Sequence, residues 1–196
     1  GEFFPAFLFL SITNRCNLSC KGCWVTPSAP PVDMELGVLS NIITECKGKG
    51  TNFFGILGGE PLLHDGLMEL FRLHQDCYFV LFTNGTFLTC EVAKQLRQLG
   101  NVTPLISIEG LEAESEARRG GSGVYGSALE ALHYCHENRL FTGVATSITQ
   151  NSIDDLVCEK FVNEMARRGA HYLWYYIYRP VGPNPSLERA LGTEQI

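Results

Sequence analysis

The chain has 196 residues, 45% of them hydrophobic and 18% charged, enough for one domain with a sizeable core. A formal net charge of −6 provides no basic footprint for nucleic acid, and no apolar run is long enough to cross a bilayer. Five of the eight cysteines (Cys46, Cys77, Cys90, Cys135 and Cys158) are scattered singly, which argues against a disulfide framework and for a reducing, cytoplasmic setting.

The hydrophobic run Phe7 to Thr13 predicts a buried strand. It feeds a loop with three thiols spaced C-x3-C-x2-C, Cys16-Asn17-Leu18-Ser19-Cys20-Lys21-Gly22-Cys23. A Pro-rich connection over 26–31 follows. Asp33 is placed to cap a helix over 34–47, with Leu36, Leu39, Ile42, Ile43 and Cys46 at helical spacing. A second strand over 52–57 runs into Gly58-Gly59-Glu60-Pro61. A helix over 65–74 comes next, then a strand over 78–82 ending in Thr83-Asn84-Gly85. Residues 89–99 predict a helix stopped by Gly100.

The fourth strand, 102–108, ends in Ser107-Ile108-Glu109-Gly110. A polar, Gly-rich loop carrying Arg118 and Arg119 is expected over 112–123. A helix over 125–138, a fifth strand over 141–148, a helix over 154–168 and an aromatic sixth strand over 172–178 complete the pattern. Residues 179–185 read as a loop, and Thr193 to Ile196 as an N-cap opening another helix.

Strands that alternate with helices make a parallel sheet with right-handed crossovers. Composition leaves a partial barrel and an open doubly wound sheet equally available. In either, ligands gather at the C-terminal ends of the strands, and every unusual motif falls there. Three thiolates on one short loop can wrap one face of an iron–sulfur cluster, whose usual complement is four. With no fourth cysteine nearby, one iron would be left open. Zinc is the rival reading, but zinc sites take four ligands in paired sets, and no second pair is present.

The cysteine loop after the first strand, together with Gly58-Gly59-Glu60-Pro61 after the second, resembles the radical S-adenosylmethionine (radical SAM) superfamily. The resemblance implies an α/β fold, a partial TIM barrel of the (β/α)6 type, as one domain over 1–196 that stops before or in its last helix. It implies a [4Fe–4S] cluster on Cys16, Cys20 and Cys23, its open iron chelated by the methionine end of S-adenosylmethionine. Gly58, Gly59, Glu60 and Pro61 would then receive the ammonium of that ligand, glycine allowing close backbone approach. Ser107 and Glu109 would meet its ribose hydroxyls or methionine end, and Arg118 or Arg119 its carboxylate.

Thr83 and Asn84 match a Thr-Asn-Gly signature of such proteins. Ser147, with Thr146, Thr149 and Asn151, would border the adenosyl pocket; Tyr178, with Tyr176 and Arg179, would approach the adenine. Relatives often carry an aromatic residue just before the third cysteine. Here that position is Gly22, and Trp24 is the candidate for stacking.

The implied activity is reductive cleavage to a 5′-deoxyadenosyl radical that abstracts hydrogen from, or adds to, a peptide or small-molecule substrate. The implied electron source is a one-electron donor such as flavodoxin or ferredoxin. A C-terminal auxiliary-cluster (SPASM-like) extension, frequent in the resembled subgroup, is expected to lie outside this chain. The alternative is a non-catalytic iron–sulfur or zinc-binding electron-transfer module, which would have no use for the second-strand motif or the Ser107/Glu109 pair.

Overall fold

Every strand pairs with its sequence neighbour, all in parallel, in the order β1 (Phe7–Ser11), β2 (Phe53–Leu57), β3 (Tyr78–Thr83), β4 (Val102–Ser107), β5 (Gly143–Ile148), β6 (Tyr172–Ile177). The computed structural model describes residues 4–25, 30–182 and 185–195. Most of the 26–31 connection and part of the 179–185 loop therefore lie outside the described residues.

Strands lie about 4.8 Å apart in a sheet, so β3 and β6 would be separated by roughly 14 Å if it were flat. The rings of Phe82 on β3 and Trp174 on β6 instead have centroids 5.7 Å apart. The sheet is curled into a half-barrel, and between the open sequence-level alternatives this curvature selects the partial TIM barrel.

Alternate strand residues divide between two faces. On the convex side, Phe54, Ile56, Phe79, Leu81, Ile106 and Val144 enter the main core with the helices. These are α1 (Leu36–Gly48), α2 (Leu67–Leu73), α3 (Cys90–Leu99), α5 (Val124–Glu137) and α7 (Glu159–Arg167). Phe71 and Phe79 are fully buried there with centroids 4.9 Å apart, each such ring contributing about 1.5–3 kcal/mol by burial. Thr89 caps α3, its hydroxyl accepting the Val92 N–H at 3.3 Å, and Gly100 ends it at φ 75°, as expected.

Four local expectations are corrected. Residues Glu112–Arg119 form a helix, α4, instead of a loop. It has no apolar stripe to announce it, but acids open it, arginines close it, and Gly120 caps it at φ 74°, an arrangement that suits the helix dipole. The helix expected over 154–168 is two pieces, α6 (Ile153–Leu156) and α7, parted at Val157–Cys158, and neither Gly nor Pro marks the break. Helix α1 begins at Leu36 without a side-chain cap. Asp33 is spent elsewhere, accepting from the Thr13 hydroxyl at 2.6 Å and pairing with Arg15 at 2.6 Å. Among the described residues near the chain end, Thr193 and Glu194 make a turn held by Gly192 and Gln195, not a helix start.

Candidate active site

The cysteine loop is fastened on three sides. Its entrance is zipped to the end of β2, where Gly59 N–H donates to the Thr13 carbonyl at 2.8 Å and Glu60 N–H to the Arg15 carbonyl at 2.7 Å. A Cβ on Gly58 would lie 2.7 Å from the Thr13 carbonyl oxygen, and one on Gly59 would strike the Arg15 carbonyl. These glycines are thus required by the backbone of the cysteine loop itself. On the second side, Asn84 Nδ2 donates to Asn17 Oδ1 at 3.0 Å and Asn17 Nδ2 to the Thr86 hydroxyl at 2.9 Å. On the third, Lys21 N–H donates to the Arg118 carbonyl at 2.8 Å. Arg15 completes the frame, reaching from Asp33 to the Leu63 carbonyl.

Glu60 is wholly buried. Its carboxylate accepts from the Thr83 hydroxyl (2.8 Å), the Asn84 N–H (2.7 Å) and the Leu62 N–H (3.1 Å). Burial pushes its pKa up, and those three donors pull it back only in part. The side chain therefore bolts the loop after β2 to the loop after β3, and Pro61 lies buried beside it.

Glu109, at the end of β4, is also buried, between two guanidiniums. Arg118 and Arg119 each pair with one of its oxygens, and Ser147 N–H donates to it at 3.0 Å. Burial alone would raise its pKa, but Arg119, Arg118 and the Ser147 N–H outweigh that and hold it below the usual carboxylate range. The Nε atoms of both arginines are buried with no partner among the described residues. One carboxylate against two guanidiniums leaves net positive charge.

All of these elements surround one cavity of about 850 Å³ at the C-terminal ends of the strands, in the range of small-molecule sites. Cys16, Cys20, Cys23, Trp24, Gly58 and Gly59 line one side; Thr83, Asn84, Ser107, Glu109, Arg118 and Arg119 continue it; Ser147 and Tyr178 close it. Of the site residues singled out in the sequence, Glu60 and Pro61 stand behind the wall, and buried Thr149 and exposed Asn151 do not line the cavity either. The Asn17–Asn84–Thr86 and Arg15–Asp33 links were missed, since single polar side chains in loops carry no periodic signal.

Cys16, Cys20 and Cys23 are free thiols, each partly exposed to the cavity. Burial raises the pKa of Cys16 and Cys20, and Arg119, whose Nη1 is 4.0 Å from Cys20 Sγ, acts against it at Cys20. Among the described residues, the three sulfurs do not gather within 4.8 Å of one another. Thiolates on one zinc ion, with Zn–S bonds of about 2.3 Å, would. Three thiols are donors of the type that iron–sulfur clusters take, so the donor set is compatible with such a cluster. The donors that do gather, His74, Asp76 and Cys77, are at the opposite end of the sheet, where Lys47 holds Asp76 at 2.6 Å.

Residues 10–157 match the radical SAM superfamily. The chain is 28% identical over 150 residues to the Fe-coproporphyrin III synthase of Methanosarcina barkeri, covering 74% of this chain and 38% of that protein. It is 27% identical over 192 residues to the sporulation killing factor maturation protein SkfB of Bacillus subtilis, covering 96% and 45%. The chain thus spans less than half the length of these relatives. Streptococcus suis SuiB superposes with a TM-score of 0.82 at 17% identity, over 96% of this chain and 43% of that one. A family match over well more than half its residues, on a fold of this kind, means that the chain belongs to the radical SAM superfamily.

Proposed function

We propose that this chain is the core of a radical SAM enzyme, with Cys16, Cys20 and Cys23 holding a [4Fe–4S] cluster and the adjoining cavity holding S-adenosylmethionine. The observation that carries this is the convergence of three free thiols, the Gly58-Gly59 backbone and an arginine pair with unsatisfied Nε donors on one cavity. When bound, the cluster and S-adenosylmethionine supply a 5′-deoxyadenosyl radical by one-electron reductive cleavage.

The protein's own residues bind and aim. The net positive Glu109–Arg118–Arg119 group faces the methionine carboxylate, with Arg geometry suited to it. Gly58 and Gly59 expose backbone polar groups toward the ammonium. Ser107 and Ser147, which share the concave face and line the cavity, are the hydroxyls offered to the ribose. Tyr178, with the Arg118 guanidinium 5.4 Å from its ring centroid, and Trp24, half exposed on the cavity rim, offer faces for adenine. The electron comes from a one-electron donor such as flavodoxin or ferredoxin, and the substrate is a peptide or small molecule that gives up hydrogen or accepts the radical.

Anaerobic reconstitution with iron and sulfide, then S-adenosylmethionine and dithionite, tests this. The expected result is a brown protein that forms methionine and 5′-deoxyadenosine, with both colour and product lost in Cys20→Ala. Full cluster loading without 5′-deoxyadenosine, or cleavage retained in Cys20→Ala, refutes it.

A further inference from the structure

Resting on that reading, the concave wall of the half-barrel narrows the substrate class. Strand alternation turns Phe9, Phe53, Phe82, Tyr172, Trp174 and Tyr176 onto this face, where they pack around buried Val80, Leu105 and Ala145. Two glycines make the paving possible. A Cβ on Gly55 would sit 2.5 Å from the Phe9 ring, and one on Gly143 would collide with the Tyr172 ring. Trp174 and Tyr176 stack with centroids 5.6 Å apart and planes 13° apart, and Phe82 leans on both. Phe9 remains 46% exposed and lines the cavity with Phe82 and Tyr176, while Trp174 is half-buried against both of those rings.

No Asp, Glu, His, Lys or Arg stands on the six strands that make this wall. Among the described residues, the cavity's charged side chains are Glu109, Arg118 and Arg119, buried against one another at the strand ends, and Arg179, exposed at the end of β6. A phosphorylated or polycarboxylated substrate seated on the aromatic wall would lose its hydration while the nearest cations, Arg118 and Arg119, are held by Glu109, which is costly. A free amino acid would meet the same penalty twice.

We infer that the group presented to the radical is an uncharged apolar or aromatic side chain of a peptide, seated against Phe9, Phe82, Trp174 and Tyr176. Ring-on-ring contacts add to what area burial alone provides. A backbone without termini nearby brings no charge into the cavity.

The test uses capped pentapeptides Gly-Gly-Xaa-Gly-Gly with Xaa as Phe, Leu, Asp or Lys, and free phenylalanine, titrated into the cluster-reconstituted, S-adenosylmethionine-treated protein. Binding is read by saturation-transfer NMR. The Phe and Leu peptides should bind about tenfold or more tighter than the Asp and Lys peptides and than free phenylalanine. Saturation should concentrate on the Phe ring protons. Trp174→Ala should erase the preference and Trp174→Phe restore it. Equal binding of a charged peptide or of free phenylalanine, saturation spread evenly along the peptide, or a preference that survives in folded Trp174→Ala each overturns the inference. The epitope map on the unmutated protein decides the matter even if Trp174→Ala fails to fold. Equilibrium dialysis of S-adenosylmethionine on the same samples separates the two readings. A preserved preference without its binding sinks the proposed function alone, and binding without preference sinks this inference alone.

Discussion

The phenol of Tyr178 occupies the space that a side chain at position 22 would need: a Cβ built on Gly22 would collide with its hydroxyl oxygen. Gly22 also sits at φ 70°, the left-handed region that a side chain disfavours. The absent aromatic residue before Cys23 is therefore matched by an aromatic ring that arrives from the end of β6. Tyr178 in turn accepts the Ser186 N–H at 3.2 Å. Gly22→Ala should cost about 1–3 kcal/mol from backbone strain and displace Tyr178. Iron content per chain after reconstitution and thermal unfolding check this; full iron loading at an unchanged melting temperature contradicts it.

Glu60 yields a prediction that runs against simple charge counting. Its carboxylate is buried with a raised pKa, so replacing it with neutral glutamine removes a desolvation cost. Its two oxygens, however, accept from three donors, and a glutamine amide offers one oxygen and turns an NH2 toward an N–H. Leaving a buried donor unsatisfied costs about 1–3 kcal/mol. Glu60→Gln should therefore destabilise the fold at pH 7, measured by urea unfolding. A variant as stable as the parent means that these hydrogen bonds are not what holds the two loops together.

The strand motifs were legible because each strand is an apolar run ending in Gly, Asn or Pro punctuation, and those ends converge on one side of a parallel sheet. Glu109 and Arg118 were legible as polar residues near a strand end, but their mutual pairing was not. Nine residues separate them, and they meet only because 112–119 is helical, which a segment without apolar spacing does not signal. Glu60 was legible as part of a motif and misleading in its role, since sequence cannot say which way a carboxylate points. The curl of the sheet was invisible as well, being set by packing between β3 and β6 rather than by any local pattern.

The buried triad of Glu109, Arg118 and Arg119 predicts an acid-side loss of stability. Glu109 has a folded pKa below the ordinary value, which is about 4.3 for an unfolded chain. Its contribution is therefore complete above that pH and drains away as pH falls through the folded value. Glu109→Gln should flatten this acid limb. At pH 7 it should cost about 3–5 kcal/mol, because both guanidiniums lose their buried partner. Urea midpoints between pH 3 and 7, over a range set by that roughly 4.3 reference, test it; parallel pH profiles for parent and variant count against the assignment.

Asn17 links the cysteine loop to the turn after β3 through Asn84 and Thr86, yet it is itself exposed. Exposed hydrogen bonds contribute little, about 0.5–1.5 kcal/mol at most, so Asn17→Ala should barely move the unfolding midpoint. Its effect should be local. With that tie cut, the loop still has its anchors at Gly59, Glu60 and Arg118, but its middle is free to swing, and Cys16 and Cys20 flank that middle. Hydrogen exchange over residues 16–23 should quicken while the strands stay protected. Iron should pass faster from the reconstituted variant to a chelator such as bathophenanthroline. If exchange in the loop and the rate of iron loss both match the parent, the tie to Asn84 and Thr86 is incidental, and the β2 and α4 contacts alone hold the thiols in place.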